Sequence, residues 1–114
     1  MNKEFLELFI LQIEEFIKVS NGDALVSDKC GQYNKVIYLE NVVLEAREFI
    51  NFGESRIALE NMLENIIEVG IVLDQNAIFL ARKAFGEDIT AYNENLLKVM
   101  TDKLLDSKKC FMQE

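Results

Sequence analysis

The chain contains no proline and no histidine among its 114 residues. Proline interrupts a helix because it lacks a backbone N–H and its ring clashes with the preceding turn, so its absence favours long, uninterrupted helices. Without histidine the chain cannot form a Ser/His/Asp or Cys/His nucleophilic system, and most catalytic zinc sites are excluded. The Glu-x-x-His pairs of di-iron helical bundles are excluded as well. These absences argue against an enzyme.

Glycine, cysteine and long apolar runs are also scarce. None of the five glycines has a phosphate-binding spacing, which excludes a P-loop and a dinucleotide fingerprint. Cys30 and Cys110 lie far apart in a chain large enough to fold without a disulfide, which is typical of reduced thiols in a cytosolic protein. Glutamates interrupt the apolar N-terminal stretch, and no uncharged run of about 18 apolar residues exists. We therefore expect a cytoplasmic protein without an export signal or a spanning helix.

The overall composition is that of one acidic, folded domain, residues 1–114. Half of the residues are hydrophobic and 28% are charged, enough to build a single core. Asp and Glu number 20 against 12 Lys and Arg, which gives a net charge of −8. This charge repels phosphate backbones and anionic lipid surfaces, and it accelerates the approach of basic proteins. We expect neither nucleic acid nor a membrane as partner.

Apolar residues recur three and four apart in five segments, the spacing of amphipathic helices. The predicted helices are 4–19, 36–52, 54–70, 75–85 and one that begins near Asp88 or Thr90. No segment alternates for long enough to form a strand. The sequence therefore predicts an all-α fold, a single bundle of four to five helices with short connections, except between the first two helices. In the first helix Leu8 and Leu11 widen the apolar face, which indicates burial on more than one side or cover by a partner.

Turn and capping residues set the expected helix boundaries. The turn sequence of residues 20–23 is expected to end the first helix, and residues 24–34 to form an irregular loop. In the fifth helix Tyr92 and Leu105 are expected to point inward, and the chain is expected to fray from Lys108 onward. The remaining predicted boundary features are Gly53, Gly70, the linker 71–73, the N-cap Asp74, Gly86 and a capping pair formed by Thr90 and Glu94.

One acidic row distinguishes the third helix. Glu60, Glu64 and Glu68 fall four apart and form one stripe, with Asn61 and Asn65 beside it. Like charges at this spacing destabilise a helix by about 0.2–0.5 kcal/mol per pair, yet the stripe contains no Lys or Arg. A basic partner is the simplest explanation for a row that helix stability disfavours.

The charge excess is concentrated in one part of the chain. Residues 40–68 contain seven glutamates and two arginines, a net charge of −5, while the other 85 residues carry only −3. Glu45 and Glu48 of the second helix and Glu54 at the start of the third therefore join the stripe as candidate partner-binding residues. A solvated helical face is the alternative explanation for this cluster.

The sequence gives little indication of a metal site or of catalytic tyrosines. Glu14/Glu15 and Glu45/Glu48 are pairs that could bind a hard cation, but no Asp-rich loop supplies the several converging oxygen ligands that such a site needs. We expect no metal and no other cofactor. The three tyrosines, Tyr33, Tyr38 and Tyr92, are expected to be half-buried amphipathic residues rather than general acids.

Part of the chain resembles a family of small helical bacterial immunity proteins, which includes MafI-type proteins and the immunity proteins of contact-dependent growth inhibition systems. The resemblance is carried by Gly53-Glu54, then Ala58-Leu59-Glu60-Asn61-Met62-Leu63-Glu64-Asn65, then Ile71-x-Leu73. In that family a Gly-Glu…Ala-Leu-Glu helix is followed by a short Ile-x-Leu link and another helix. The similarity covers about residues 43–87.

The resemblance implies a cytosolic inhibitor that binds the toxin domain of its own cell's delivery protein, often a nuclease with a basic substrate cleft. It implies that the partner-binding residues are Glu54, Glu60, Asn61, Glu64, Asn65 and Glu68, although Glu60 is also suited to cap or pair within the bundle. A helical adaptor or regulatory subunit with an acidic protein-binding face is the alternative function. An oxygen-ligand metalloprotein is the third.

Overall fold

The apolar residues that recur three and four apart form five α-helices. The computed structural model describes residues 1–27 and 30–112, and the side chains of residues 1–19 and 36–107. The helices are α1 (Lys3–Ser27), α2 (Cys30–Asn51), α3 (Ser55–Glu68), α4 (Gln75–Phe85) and α5 (Ala91–Met112), with a 3₁₀ turn at Gly86–Asp88. No strand occurs within these ranges, so the prediction of an all-α bundle of four to five helices is confirmed.

The helices close a ring around one core. Helix α1 packs against α2 and α4, α3 packs against α2, and α5 joins α3 to α4. Every helix contributes apolar side chains to a single buried cluster, in which Phe9, Leu63 and Phe85 are wholly inaccessible to solvent. The Asn2 N–H donates to the Ala84 carbonyl at 2.7 Å and ties the N-terminus to α4. The ring leaves one side of α3 facing outward.

Glycines end α2 and α3 in the same way. Gly53 and Gly70 have φ angles of 79° and 78°, the left-handed conformation that costs a side chain about 1–2 kcal/mol. In each case the residue after the glycine donates its N–H five residues back, from Glu54 to Phe49 at 2.8 Å and from Ile71 to Ile66 at 3.2 Å. These bonds satisfy carbonyls that the helix leaves free, so both predicted helix ends are correct.

The caps of α4 and α5 also follow from local sequence. The Asp74 carboxylate accepts the Ala77 N–H at 2.8 Å and starts α4 where predicted. At α5 the Thr90 hydroxyl accepts the Asn93 N–H at 3.1 Å, while the Asn93 side chain accepts the Thr90 N–H at 3.2 Å. This is a reciprocal capping box in which Asn93 takes the place that the sequence analysis gave to Glu94.

Two predicted interruptions are wrong. Helix α1 continues through residues 20–23 to Ser27, and α2 already begins at Cys30. Most of the predicted 24–34 loop is therefore helical. Residues 28–29 of that loop lie outside the residues that the structure describes. One glycine costs a helix only about 1 kcal/mol relative to alanine, and no proline is present to end it. Helix α5 likewise extends to Met112 instead of fraying at Lys108.

Several large apolar side chains face solvent. Leu8 and Leu11 on α1 are 43% and 49% exposed, so the wider apolar face of α1 is not used for internal packing. On α5, Tyr92 and Leu105 are about half exposed, so neither side chain is in the core as predicted; for Tyr92 this exposure agrees with the half-buried, amphipathic role that was also predicted. None of the described helices is long and apolar enough to cross a membrane.

Candidate functional site

Helix α3 positions the candidate site between α2 and α5. Its inner face is fully buried, with Leu59, Met62, Leu63 and Ile66 at 0% exposure, as the periodicity predicts. Because side chains at 3.6-residue spacing must divide between two faces, this burial turns Glu64 and Glu68 outward, and both are exposed. We define the acidic face as the outward sides of α2 and α3 with the turn that joins them. It comprises Glu45, Glu48, Glu54, Glu60, Asn61, Glu64, Asn65 and Glu68.

A chain of hydrogen bonds links the acidic face to α2. The Tyr38 hydroxyl donates to Asn65 Oδ1, and Asn65 Nδ2 donates to the Asn61 carbonyl at 2.7 Å and to its Oδ1 at 3.1 Å. Asn61 Nδ2 then donates to Glu45 Oε1 at 3.2 Å. The two asparagines are thus held in fixed positions between a tyrosine and a glutamate of the neighbouring helix.

On its other side, the stripe meets α5 through Tyr92 and Glu64. The Tyr92 hydroxyl donates to Glu64 Oε2. Ionising this hydroxyl would remove the donor and place a second negative charge beside the carboxylate. The hydrogen bond with Glu64 therefore raises the pKa of Tyr92 above its usual value, with smaller contributions from desolvation and from the negative charges of Glu64 and Glu60.

Glu60 serves the interior of the bundle more than its surface. Its Oε2 accepts Asn93 Nδ2 at 2.5 Å, and Asn93 is completely buried. Asn93 Oδ1 accepts Arg56 Nη1 at 3.0 Å, and the same nitrogen donates to the Asp88 carbonyl at 3.0 Å. This Glu60–Asn93–Arg56 network joins α3 to the start of α5 and satisfies a buried amide, so the pairing role that the sequence left open for Glu60 is present.

Both arginines of residues 40–68 are bound away from the acidic face. Arg47 reaches across to α1, where its guanidinium lies 3.2 Å from Glu7 Oε2 and 3.2 Å from Glu14 Oε1. The hydrogen bond with Glu7 raises the pKa of Arg47 above its usual range, and Glu14 adds to this effect against the cost of desolvation. Arg56 is directed into the network with Asn93 described above. Neither arginine neutralises the row formed by Glu64 and Glu68.

The other predicted site residues lie where a partner can reach them. Glu45 and Glu48 are exposed one turn apart on α2, and Glu54 is exposed at the N-cap of α3, where its side chain makes no capping hydrogen bond. Glu64 and Glu68 are exposed, and Asn61 and Asn65 are half-buried between α2 and α3. The structure therefore leaves seven of the eight predicted residues exposed or half-buried on α2, α3 and the turn between them, and directs Glu60 mainly inward.

Two tyrosines that border this surface could not be recognised as part of it from the sequence. Tyr38 is 37% exposed and Tyr92 is 49% exposed, and each is tied by its hydroxyl to a side chain of α3. Their amphipathic character was predicted, but their pairing with Asn65 and Glu64 depends on how α2 and α5 pack against α3. No spacing along the chain reveals such a contact between helices.

Residues of the kind that bind metal ions do not cluster in the described part of the chain. It contains no group of three or more Asp, Glu or Cys side chains arranged to hold an ion.

Comparison of the chain with models of known protein families, with curated proteins and with solved structures finds no significant match. A function is therefore inferred from the geometry and charge of the acidic face, together with the sequence resemblance of residues 43–87.

Proposed function

We propose that this chain is an immunity protein, which binds a basic bacterial toxin domain through its acidic face and so neutralises it. The observation that carries the proposal is the uncompensated charge of this face. Within residues 40–68, both arginines are engaged elsewhere, Arg47 with α1 and Arg56 with Asn93, while Glu64 and Glu68 remain exposed. A surface of this kind attracts a positively charged protein and accelerates its association.

The charge pattern fits a nuclease better than other toxins. An enzyme that cuts RNA or DNA needs a basic cleft, because it must bind a phosphate backbone. A row of carboxylates spaced along a helix offers such a cleft a substitute for phosphates. The resemblance of residues 43–87 to MafI-type and contact-dependent growth inhibition immunity proteins supports the same partner.

The preorganised side chains support binding over catalysis. Tyr38, Asn61 and Asn65 are held by hydrogen bonds to their neighbours, so little side-chain entropy is lost when a partner covers them. We propose a cytoplasmic protein without enzymatic activity, cofactor, nucleic acid or membrane partner, whose action is to cover the toxin.

The proposal is tested with the toxin domain encoded beside this gene, because an immunity gene lies directly downstream of its toxin gene. The two proteins should co-purify when co-expressed, and the isolated toxin domain should lose its activity when the purified chain is added. If an adjacent toxin gene is lacking, or the toxin domain neither binds nor loses activity, the immunity function is wrong. The chain would then be examined as a helical adaptor with an acidic interface.

A further inference from the structure

Helix α2 also carries an exposed apolar ridge, formed by Ile37 and Leu44, which is not part of the acidic face. Ile37 and Leu44 are seven residues apart, which places them on one side of the helix, and they are 40% and 63% exposed. The polar Asn41 lies between them. Bundle packing does not explain this ridge, because the inner side of α2 already buries its own set of residues: Val36, Leu39, Val42, Val43 and Ala46.

A groove of about 440 Å³ runs beside this ridge, between α1 and α2. Its apolar lining comes from Ile17, Val43 and Leu44, and its polar lining from Glu14, Asn41 and Glu40. It therefore combines an apolar floor with two carboxylates. Glu40 is exposed, and Glu14 forms a salt bridge with Arg47.

Two other grooves in the described side chains lack this combination. The groove between α1 and α4 is lined by Leu8, Leu11 and Leu80 with one carboxylate, Glu15. The groove between α4 and α5 is lined by apolar residues with a cation, Arg82. Neither borders α2. Of these three grooves, the one between α1 and α2 has two carboxylates in its lining and borders the α2 side of the acidic face.

We infer that the α2 ridge and its groove form the apolar centre of the interface, and that the groove receives a lysine or arginine side chain of the toxin domain. The aliphatic stem of such a residue would lie against Ile17 and Leu44, and its charged end would meet Glu40. This inference rests on the proposed function and extends the interface from α3 across α2 to α1. It gives the interface the usual arrangement of an apolar centre with a polar rim.

This arrangement is expected because the rate of association and the lifetime of a complex are determined by different parts of an interface. Exposed charges mainly set the rate of association, whereas a few side chains packed in desolvated pockets determine how long the complex lasts. Among the apolar residues that line the groove, Leu44 is the most exposed, at 63%, whereas Ile17 and Val43 are buried. It is therefore the expected anchor.

The test measures the affinity and rate constants of the toxin domain for Leu44→Ala and Glu40→Gln. Leu44→Ala should weaken affinity about tenfold or more, mainly through faster dissociation. Glu40→Gln should reduce affinity and flatten its dependence on salt. The matched control is Leu105→Ala, since Leu105 is 51% exposed on α5 and away from this ridge; its affinity should be unchanged.

The outcomes separate this inference from the proposed function. If Leu44→Ala binds within about twofold of the parent while charge reversal at Glu64 and Glu68 weakens binding, only this inference is overturned. If the unaltered protein fails to bind the toxin domain, the proposed function and this inference both fall. Thermal melting of each variant checks the fold, which should persist because Leu44 and Glu40 are exposed.

Discussion

At the scale of single residues, three glutamates with the same spacing have different roles. Glu60, Glu64 and Glu68 repeat every four residues, yet Glu60 accepts a buried amide, Glu64 accepts a tyrosine hydroxyl and Glu68 faces solvent. The helix rises and turns past α5, so only the first two come within reach of its side chains. The roles of these three glutamates, which are equivalent in sequence spacing, therefore depend on which hydrogen-bond donors the neighbouring helix places beside them.

Asn93 should contribute to stability well beyond its size. It is fully buried and bonds with Glu60, Arg56 and Thr90, so Asn93→Ala leaves a carboxylate and a guanidinium without their shared partner. We expect the free energy of unfolding to fall by about 1–3 kcal/mol in urea titrations. The control is Asn95→Ala on the exposed side of the same helix, which should change little. Equal midpoints for the two variants would show that the network does not stabilise the fold.

The titration of Tyr92 should depend on Glu64. The hydrogen bond raises the pKa of Tyr92 above its ordinary value near 10, so Glu64→Gln should lower that pKa. The neutral hydroxyl makes the contact, and its stabilising effect is therefore present below the ordinary pKa and lost as pH rises through the raised one. Tyrosinate absorbance followed against pH gives the measurement, and Tyr92→Phe identifies the step. An unchanged titration in Glu64→Gln would contradict the contact.

At the scale of the helices, α3 is held mainly by its buried face. Leu63 has no exposed surface, and Leu63→Ala should lower the free energy of unfolding by about 2–5 kcal/mol. Ile57 lies on the same helix but is 46% exposed, so Ile57→Ala is the matched control and should stay within about 0.5 kcal/mol of the parent. Both are read from denaturant midpoints. Similar losses in the two variants would mean that the buried face has been assigned wrongly.

The accuracy of each predicted helix end depends on whether a residue that stops a helix lies close to that end. Helix α4 was predicted at its observed residues because Asp74 and Gly86 act within one turn of its ends. The ends of α2 and α3 were predicted from Gly53 and Gly70 for the same reason. At residues 20–34 the same kind of signal misled, because asparagine, glycine and aspartate weaken a helix without ending it.

The exposure of the acidic residues could be predicted from the sequence, but the contacts that neighbouring helices make with them could not. Helical spacing alone places Glu64 and Glu68 opposite Leu59 and Leu63, so their exposure could be predicted. The bonds of Tyr38 and Tyr92 to α3 could not, because they join residues 27 and 28 positions apart. The same holds for Arg47, whose direction toward α1 is set by packing between helices.

At the scale of the whole molecule, charge is distributed unevenly around the ring of helices. Helices α2 and α3 present an acidic surface whose own arginines are engaged elsewhere, while α4 carries only the cations Arg82 and Lys83. Lys83 lies over the Phe79 ring, 5.5 Å from its centre, and Arg82 pairs with Glu94. The proposed basic partner would therefore be attracted mainly to the side formed by α2 and α3.

If charge guides this encounter, association should slow as salt is added. Screening acts over about 10 Å at 0.1 M ionic strength, so steering by exposed carboxylates is strongest at low salt. The association rate constant with the toxin domain should fall as the salt concentration rises, while dissociation changes much less. Stopped-flow measurements over a salt series provide the test, and an association rate independent of salt would argue against steering.

The most direct test of the central claim compares how two double charge reversals affect binding to the proposed toxin domain, which is sought in the neighbouring gene. Glu64→Lys with Glu68→Lys alters the acidic face, and Glu4→Lys with Glu15→Lys makes the same change in net charge on the exposed side of α1. The first variant should keep its fold in thermal melting, because both side chains are exposed and an attraction between Glu60 and the new lysine at position 64 replaces one of the two repulsions in the row. It should bind the toxin domain at least about tenfold more weakly than the second. If the two variants bind equally well, the acidic face is only a solvated surface and the account is wrong.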